Sequence, residues 1–160
     1  MEVILICVII AILLFGAAFI TRRRFGLLGL ALAAGSLLSG IWGFDAGLIA
    51  GSLGIPSGAV TSAVILALIV LLPAGVLLFH GYTYRTLVGR IIGASLFTLL
   101  ALAFLIEPLG RVLVLQGFGA DVYSWLANNR TAIIGVGLII AVVDLFLTKP
   151  AHLSSRRHER

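Results

Sequence analysis

Residues 3–42 have the sequence VILICVIIAILLFGAAFITRRRFGLLGLALAAGSLLSGIW. Two uncharged apolar runs, 3–20 and 25–42, flank the cluster Arg22, Arg23 and Arg24. The hydrocarbon core of a membrane is about 30 Å thick and is crossed by about 20 apolar residues of helix, with a range of about 17–25. Both runs have a suitable length, so this stretch predicts a hairpin of two transmembrane helices whose turn is the arginine cluster.

The remaining sequence has the same character. Of the 160 residues, 61% are hydrophobic and 11% are charged, whereas a soluble domain has about 45–50% apolar and about 25% charged residues. Three further runs match the membrane thickness: 59–79, 87–106 and 131–147. We therefore predict an all-α fold, a polytopic membrane helix bundle of about five transmembrane helices. Residues 1–149 form a single transmembrane domain, and 150–160 form a basic cytoplasmic tail.

Two connecting segments bear on this count. Residues 43–58 contain several glycines, Asp45 and Pro56, which favour a loop over a helix. Residues 109–130 mix charged and amide side chains with apolar ones, a pattern typical of an amphipathic segment that lies along the membrane surface. The alternative to five spans is four spans with an additional surface helix.

The positive charges predict the orientation, because cytoplasmic loops carry an excess of Lys and Arg. With the N-terminus outside, the cytoplasmic side receives nine of the eleven basic residues: Arg22, Arg23, Arg24, Arg85, Arg90, Lys149, Arg156, Arg157 and Arg160. We therefore expect an external N-terminus and a cytoplasmic C-terminus. The net charge is +5, and the basic residues lie beside hydrophobic segments. Membrane lipids and not nucleic acid are therefore the expected partners.

Small residues recur at helical spacing in two of the predicted spans. They are Gly26, Gly29 and Ala33 near the start of the second span, and Gly89 and Gly93 at the start of the fourth. Helices in lipid approach closely where such residues share a face. This pattern predicts helix packing or contact between copies of the chain. The simpler interpretation is that Gly and Ala are frequent in transmembrane helices.

The arginine cluster also has two interpretations. Arg22, Arg23 and Arg24 lie where anionic lipid headgroups would meet them, and each such contact is worth about 1 kcal/mol. The alternative is that these residues only set the orientation of the first hairpin.

Asp144 is the acidic residue predicted to lie within a membrane span, where ionisable groups are costly and often functional. Arg85 and Arg90 should lie at the same depth and are the predicted partners, although Arg90 can also extend its side chain to the interface. A structural ion pair, or solvation at the interface, is favoured over an ion or proton pathway.

No pattern supports catalysis or ligand chemistry. The sequence lacks HExxH, GxSxG, paired intramembrane aspartates and the glycine loops of nucleotide-binding folds. The single cysteine, Cys7, cannot form an internal disulfide, and the separated His152 and His158 offer no convincing metal site. We therefore predict no catalytic, cofactor-binding or metal-binding residues, and no enzymatic activity.

The layout resembles that of the colicin V production family of small bacterial inner-membrane proteins. The resemblance covers residues 1–106 and depends on the basic turn Arg22–Gly26 and on the Arg85, Gly89 and Gly93 entry into the fourth span. This chain lacks the acid common in the family's first span and adds a fifth hydrophobic span. The resemblance implies location in the bacterial inner membrane and a non-enzymatic role in secretion or envelope maintenance.

Two functions follow as expectations. The first is an accessory or assembly role, or one in envelope homeostasis, exerted through contact with other membrane subunits or through self-association. The second is a small transporter or channel built as a homo-oligomer, since five short helices alone barely enclose a pathway.

Overall fold

The structure, a computed structural model, describes residues 2–43, 45–52, 54–56, 58–79, 84, 86–110 and 118–147. Most of these residues are helical, and they include no strand. The helices are α1 Glu2–Thr21, α2 Phe25–Trp42, α3 Ala46–Ser52, α4 Ala59–Phe79, α5 Leu87–Gly110, α6 Phe118–Asn128 and α7 Arg130–Phe146. The prediction of an all-α fold is confirmed.

Three helices are long and apolar enough to cross a membrane: α2, α4 and α5, with 18, 21 and 24 residues. Ala120–Asn128 of α6 and the whole of α7 reach the required length together, but they meet at an angle of 61°, so they give a fourth span only if the bent pair is one span. Within α1, the apolar stretch Cys7–Thr21 is shorter than these three helices. Among the described residues, length and composition thus support a membrane protein with three spans, or four if the bent pair is one span, and they do not confirm the predicted count of about five.

Two helices differ from the sequence-based expectations. The fourth span was expected to end at residue 106, yet α5 continues through Pro108 to Gly110. A proline near the end of a helix removes one backbone hydrogen bond without ending the helix at once. Residues 43–58 were expected to be a loop, but they contain α3. Ala50 of α3 is fully buried, and packing of α3 against α4 offsets the low helix propensity of its glycines.

The long helices alternate in direction. Thr21, Phe79 and Phe146 end α1, α4 and α7 beside the starts of α2 and α5, as hydrogen bonds across this region show. We call this the Arg24 end of the bundle. The opposite end, where α2 and α5 finish and α7 begins, is the Glu107 end.

Helix α2 lies at the centre of the bundle and packs against α4, α5 and α7, while α1 packs mainly against α5. The core between the two ends is hydrocarbon. Its largest fully buried side chains are Phe25, Leu28, Leu32, Val70, Phe97, Leu100 and Leu105. No polar or charged residue is buried within the described ranges.

Candidate functional site

The first turn of α2 is closed by a side chain from α7. The Gly26 N–H donates to Asp144 Oδ2 at 2.9 Å. The Tyr84 hydroxyl donates to the same oxygen at 3.2 Å and accepts from the Phe25 N–H at 3.2 Å. The first N–H groups of a helix have no partner within the helix, and Arg24, the residue at the N-cap of α2, makes no side-chain capping bond. Asp144 and Tyr84 supply the missing acceptors.

Close packing of α2 on α7 places Asp144 at this position. A Cβ atom added to Gly26 would overlap the carbonyl oxygen of Ala141, and one added to Gly29 would lie 2.9 Å from the Ala141 Cβ. Ala141 is fully buried and lies one turn before Asp144 on α7. The absence of side chains at Gly26 and Gly29 therefore lets the last turn of α7 reach the α2 N-terminus.

Tyr84 is held by two glycines of α5. A Cβ on Gly93 would lie 2.6 Å from Tyr84 Cε2, and a Cβ on Gly89 would lie 3.0 Å from Tyr84 Cδ1. The Tyr84 N–H also donates to the Arg22 carbonyl at 2.8 Å. Burial raises the pKa of Tyr84; the Phe25 hydrogen bond opposes this, and the Asp144 carboxylate adds to it. The phenol is therefore a neutral bridge between α2 and α7.

Among the described residues, the cation beside Asp144 is Arg24. Arg24 NH1 lies 4.0 Å from Asp144 Oδ1 and donates to the Asp144 carbonyl at 3.4 Å. The guanidinium also lies over the Tyr84 ring, 5.6 Å from its centroid. Both side chains of the ion pair remain partly exposed, so this pair contributes modestly, on the order of 1 kcal/mol or less. Arg24, Tyr84 and Asp144 form one polar cluster, which we call the inner cluster.

Two further arginines bind the ends of other helices. Arg23 Nε and NH2 donate to the carbonyls of Leu78 and Phe79 at the end of α4, at 2.9 and 2.7 Å. Arg90 NH2 donates to the Phe19 carbonyl near the end of α1 at 2.9 Å, and its guanidinium lies 4.3 Å from the centroid of the Phe19 ring. The last carbonyls of a helix carry partial negative charge, so cations stabilise them.

These contacts differ from the sequence-based expectations for Asp144. Arg85, one predicted partner, lies outside the described residues. Arg90, the other, is directed to Phe19, and the described cation next to Asp144 is Arg24, which was not a predicted partner. Which arginine lies next to Asp144 depends on the rotation of α2 against α7, and the spacing of residues in the sequence does not reveal this rotation.

The other predicted residues have the following surroundings. Gly26 and Gly29 face α7, whereas Gly89 and Gly93 face the Tyr84 ring instead of a neighbouring helix. Ala33 packs against the core. In the arginine cluster, Arg22 is exposed and has a positive φ of 56°, while Arg23 and Arg24 donate to backbone carbonyls. The small residues thus serve both helix contact and the seating of an aromatic ring.

A second polar region, absent from the sequence-based predictions, lies at the Glu107 end. Arg130 NH2 donates to Glu107 Oε2 at 2.6 Å. Beside this pair is a cleft of about 510 Å³ between α2, α4, α5 and α7. Its lining comprises Ser36, Ser39, Gly40, Gly43, Leu66, Val70, Phe104, Glu107, Pro108 and Arg130. The only sequence signal was that Glu107 and Arg130 flank spans on the same predicted side.

No group of three His, Cys, Asp or Glu side chains suited to a metal ion occurs in the part of the chain that the structure describes. Comparison of the chain with protein-family models, curated proteins and solved structures finds no match. The features of the molecule that bear on function are its two polar regions and the apolar surface of the bundle.

Proposed function

We propose that this chain is a non-enzymatic multi-pass protein of the bacterial inner membrane, an accessory or assembly component with a role in secretion or envelope homeostasis. The proposal depends chiefly on how charge is used at the Arg24 end. Three arginines bind carbonyls at the ends of α1, α4 and α7, and Asp144 binds an N–H of α2. These charged groups hold helices together, which is the chemistry of a scaffold.

The apolar core supports the same role. Between the inner cluster and the cleft, the space is filled by Leu28, Leu32, Phe97 and Leu100, each at most 1% exposed. Closely packed hydrocarbon of this kind excludes water and ions. A single copy therefore suits structural support better than conduction.

The outer face of α1 provides a surface for a partner. This helix packs mainly against α5, and Leu5, Ile12 and Leu13 are each more than 60% exposed. In a membrane such a face contacts lipid or another helix. We propose that it contacts another membrane subunit or a second copy of this chain.

The alternating directions of α1, α2, α4, α5 and α7 support five crossings, although α7 has only 17 residues and the described apolar part of α1, Cys7–Thr21, is shorter than α2, α4 and α5. The chain enters at the Glu107 end and returns to the Arg24 end after α7. The arginine cluster and the basic C-terminal tail then share one side, the cytoplasm by the positive-inside rule. We propose that the N-terminus is external and the C-terminus cytoplasmic.

The alternative function is a small homo-oligomeric transporter or channel. The observation that favours it is the cleft at the Glu107 end, whose lining includes Val70, eleven residues into α4. At about 1.5 Å per residue, that depth is roughly half of the hydrocarbon core. The pathway of such a protein would have to continue between copies of the chain.

A photo-cross-linking experiment tests the accessory role. A photoreactive amino acid replaces Leu13 on α1 or, as a matched control, Leu72 on α4, because both are exposed apolar positions at 65% and 63%. We expect irradiation of native membranes to attach Leu13 to one defined membrane protein or to a second copy, and Leu72 to lipid only. Purification in mild detergent should then recover the same complex at fixed stoichiometry.

Reconstitution tests the alternative. Purified protein in liposomes should produce no proton or solute flux if the accessory role is correct. Flux from the purified chain would establish the transporter or channel instead. A chain that neither conducts nor forms a defined complex would contradict both functions.

A further inference from the structure

The cleft at the Glu107 end carries an inference that goes beyond an accessory role. Its volume of about 510 Å³ falls within the range of about 300–1,000 Å³ typical of small-molecule sites. Its floor is apolar, formed by Leu66, Val70 and Phe104, whereas its rim carries the Glu107–Arg130 pair. An apolar floor with a few convergent polar groups is the usual composition of a binding site.

The rim has a positive side. Arg130 is the first residue of α7, where unpaired N–H groups carry partial positive charge. The preceding Asn129 makes no side-chain capping bond, since its amide donates to the Trp125 carbonyl at 2.8 Å. Arg130 Nε is buried and has no acceptor among the described atoms. Glu107 therefore accepts from NH2 of this guanidinium and leaves the Nε–H available for a further hydrogen bond.

The opposite side of the rim is negative. Glu107 lies in the last turn of α5, and its side chain is 57% exposed. Ser39, Gly40 and Gly43 form the adjacent wall at the end of α2, where the last carbonyls carry partial negative charge. The Ser36 hydroxyl donates to the Ala33 carbonyl at 2.9 Å, so its oxygen can still accept a hydrogen bond.

A rim with one positive and one negative side selects against singly charged ligands. An anion near Arg130 meets the Glu107 carboxylate, and a cation near Glu107 meets the guanidinium, which lies only 2.6 Å away. A molecule that carries both charges satisfies both sides at once. We propose that the cleft binds a small zwitterion, with its phosphate or carboxylate at Arg130 and its ammonium at Glu107 and the end of α2.

Two sources supply this chemistry. One is the headgroup of a phosphatidylethanolamine lipid, and the other is a free amino-acid-like solute. Thermal shift and calorimetric titration of delipidated full-length protein distinguish them, with short-chain phosphatidylethanolamine in one arm and glycine or phosphoethanolamine in the other. Short-chain phosphatidylglycerol, which lacks the ammonium, serves as the anionic control in the lipid arm.

Gly40→Leu is the decisive variant. Gly40 shares a helical face with Ser36, Ser39 and Gly43, and no atom of the described residues lies within 4 Å of a Cβ placed on it. A leucine there occupies the cleft without a clash at its Cβ. The matched control is Gly135→Leu on α7, which also has open space around the Cβ and does not line the cleft.

We expect the wild-type protein to prefer phosphatidylethanolamine over phosphatidylglycerol by about tenfold, or to bind the free zwitterion if that is the source. Gly40→Leu should lower this affinity by about tenfold or more while Gly135→Leu leaves it unchanged. Glu107→Gln should abolish the preference for the zwitterion, and Arg130→Gln should weaken zwitterion and anion alike.

The proposal fails if neither zwitterion source binds, if phosphatidylglycerol binds as tightly as the zwitterion source that does bind, or if Gly40→Leu binds like the wild type. Circular dichroism of each variant checks its fold. Should Gly40→Leu not fold, Glu107→Gln alone decides, because loss of the zwitterion preference requires the charged rim. All of these measurements use the chain without a partner, so failure here leaves the accessory role to be tested separately.

Discussion

Asp144 Oδ2 and the Gly26 backbone nitrogen lie 2.9 Å apart although 118 residues separate them in the chain. Through this contact the last turn of α7 closes the first turn of α2, and the central helix depends on the last long helix for its N-terminal cap. The same carboxylate receives the Tyr84 hydroxyl. One side chain thus joins α2, α7 and the approach to α5.

Removal of the Asp144 carboxylate should destabilise the bundle. In Asp144→Ala, the Gly26 N–H and the Tyr84 hydroxyl lose their acceptor in a partly buried site. We expect a loss of about 1–3 kcal/mol in the free energy of unfolding. Asp144→Asn keeps an acceptor oxygen and should lose less. Thermal unfolding in detergent measures both variants.

The control for this prediction is Asp121→Ala, because Asp121 is an exposed acid on α6. Its melting temperature should match that of the wild type. Equal melting temperatures for Asp144→Ala and the wild type would show that the capping contact contributes nothing to stability.

Gly93→Ala should act through Tyr84. The new Cβ would lie 2.6 Å from Tyr84 Cε2, so the rigid ring must move away from its hydrogen bonds to Phe25 and Asp144. Overpacking of this kind costs about 1–3 kcal/mol. The cost should disappear when Gly93→Ala is made in a Tyr84→Ala background, and a double-mutant cycle measures the coupling.

Gly135→Ala provides the matched control for Gly93→Ala, since open space surrounds its Cβ. An unchanged cost of Gly93→Ala in the absence of the Tyr84 ring would locate the clash elsewhere and contradict the seating of the ring by α5.

The edges of α2 and α4 could be predicted from the sequence because abrupt changes in composition mark them. Arginines precede Phe25, and Ala59 follows a Gly- and Pro-rich segment. The end of α5 could not be predicted. Pro108 removes one backbone hydrogen bond near the end of the helix, but the helix continues past it to Gly110. Helix α3 could not be predicted either, since the burial of Ala50 against neighbouring residues, a tertiary effect, decides its conformation.

The candidate site was predictable only in part. Asp144 drew attention because a carboxylate near hydrocarbon is costly, but its described cation could not be identified from depth alone. Several arginines lie at that depth, and only the close approach of Gly26 and Gly29 to Ala141 brings Arg24 to it. Tyr84 was not predicted as part of the site, because its hydrogen-bonding partners Phe25 and Asp144 lie 59 and 60 residues away in the chain.

Gly35→Ala and Gly40→Ala should change stability in opposite directions. A Cβ on Gly35 would overlap the Val70 carbonyl, which belongs to the backbone of α4 and moves only with that helix. A Cβ on Gly40 meets no described atom within 4 Å. We expect Gly35→Ala to cost about 1–3 kcal/mol or more. Gly40→Ala should gain up to about 1 kcal/mol, since alanine favours helix over glycine.

Both substitutions lie on α2, so effects on helix propensity are the same for the pair. Thermal unfolding of both variants in the same detergent therefore measures the contribution of packing between α2 and α4 to stability. A Gly35→Ala protein as stable as Gly40→Ala would mean that α2 and α4 are farther apart than described.

Tyr84 should make the bundle sensitive to alkaline pH. Burial raises the pKa of its phenol above the ordinary value of 10.0, so the folded state holds the proton more tightly than the unfolded state. The stabilisation is fully present below the unfolded pKa and is lost as the pH rises through the raised folded pKa. Melting temperatures measured from neutral pH to about pH 11 should fall above about pH 10 in the wild type.

Tyr84→Phe removes the titrating group and keeps the ring against Gly89 and Gly93. This variant should be less stable than the wild type at neutral pH, because Phe25 and Asp144 lose a hydrogen-bonding partner. Its melting temperature should decline less steeply above pH 10 than that of the wild type.

Tyr123→Phe is the control, since the Tyr123 hydroxyl bonds only the Ile106 carbonyl among the described contacts and lies at the Glu107 end. An alkaline slope that survives in Tyr84→Phe and vanishes in Tyr123→Phe would assign the titration to the other end of the bundle, and the bridging role of the Tyr84 phenol would then be untenable.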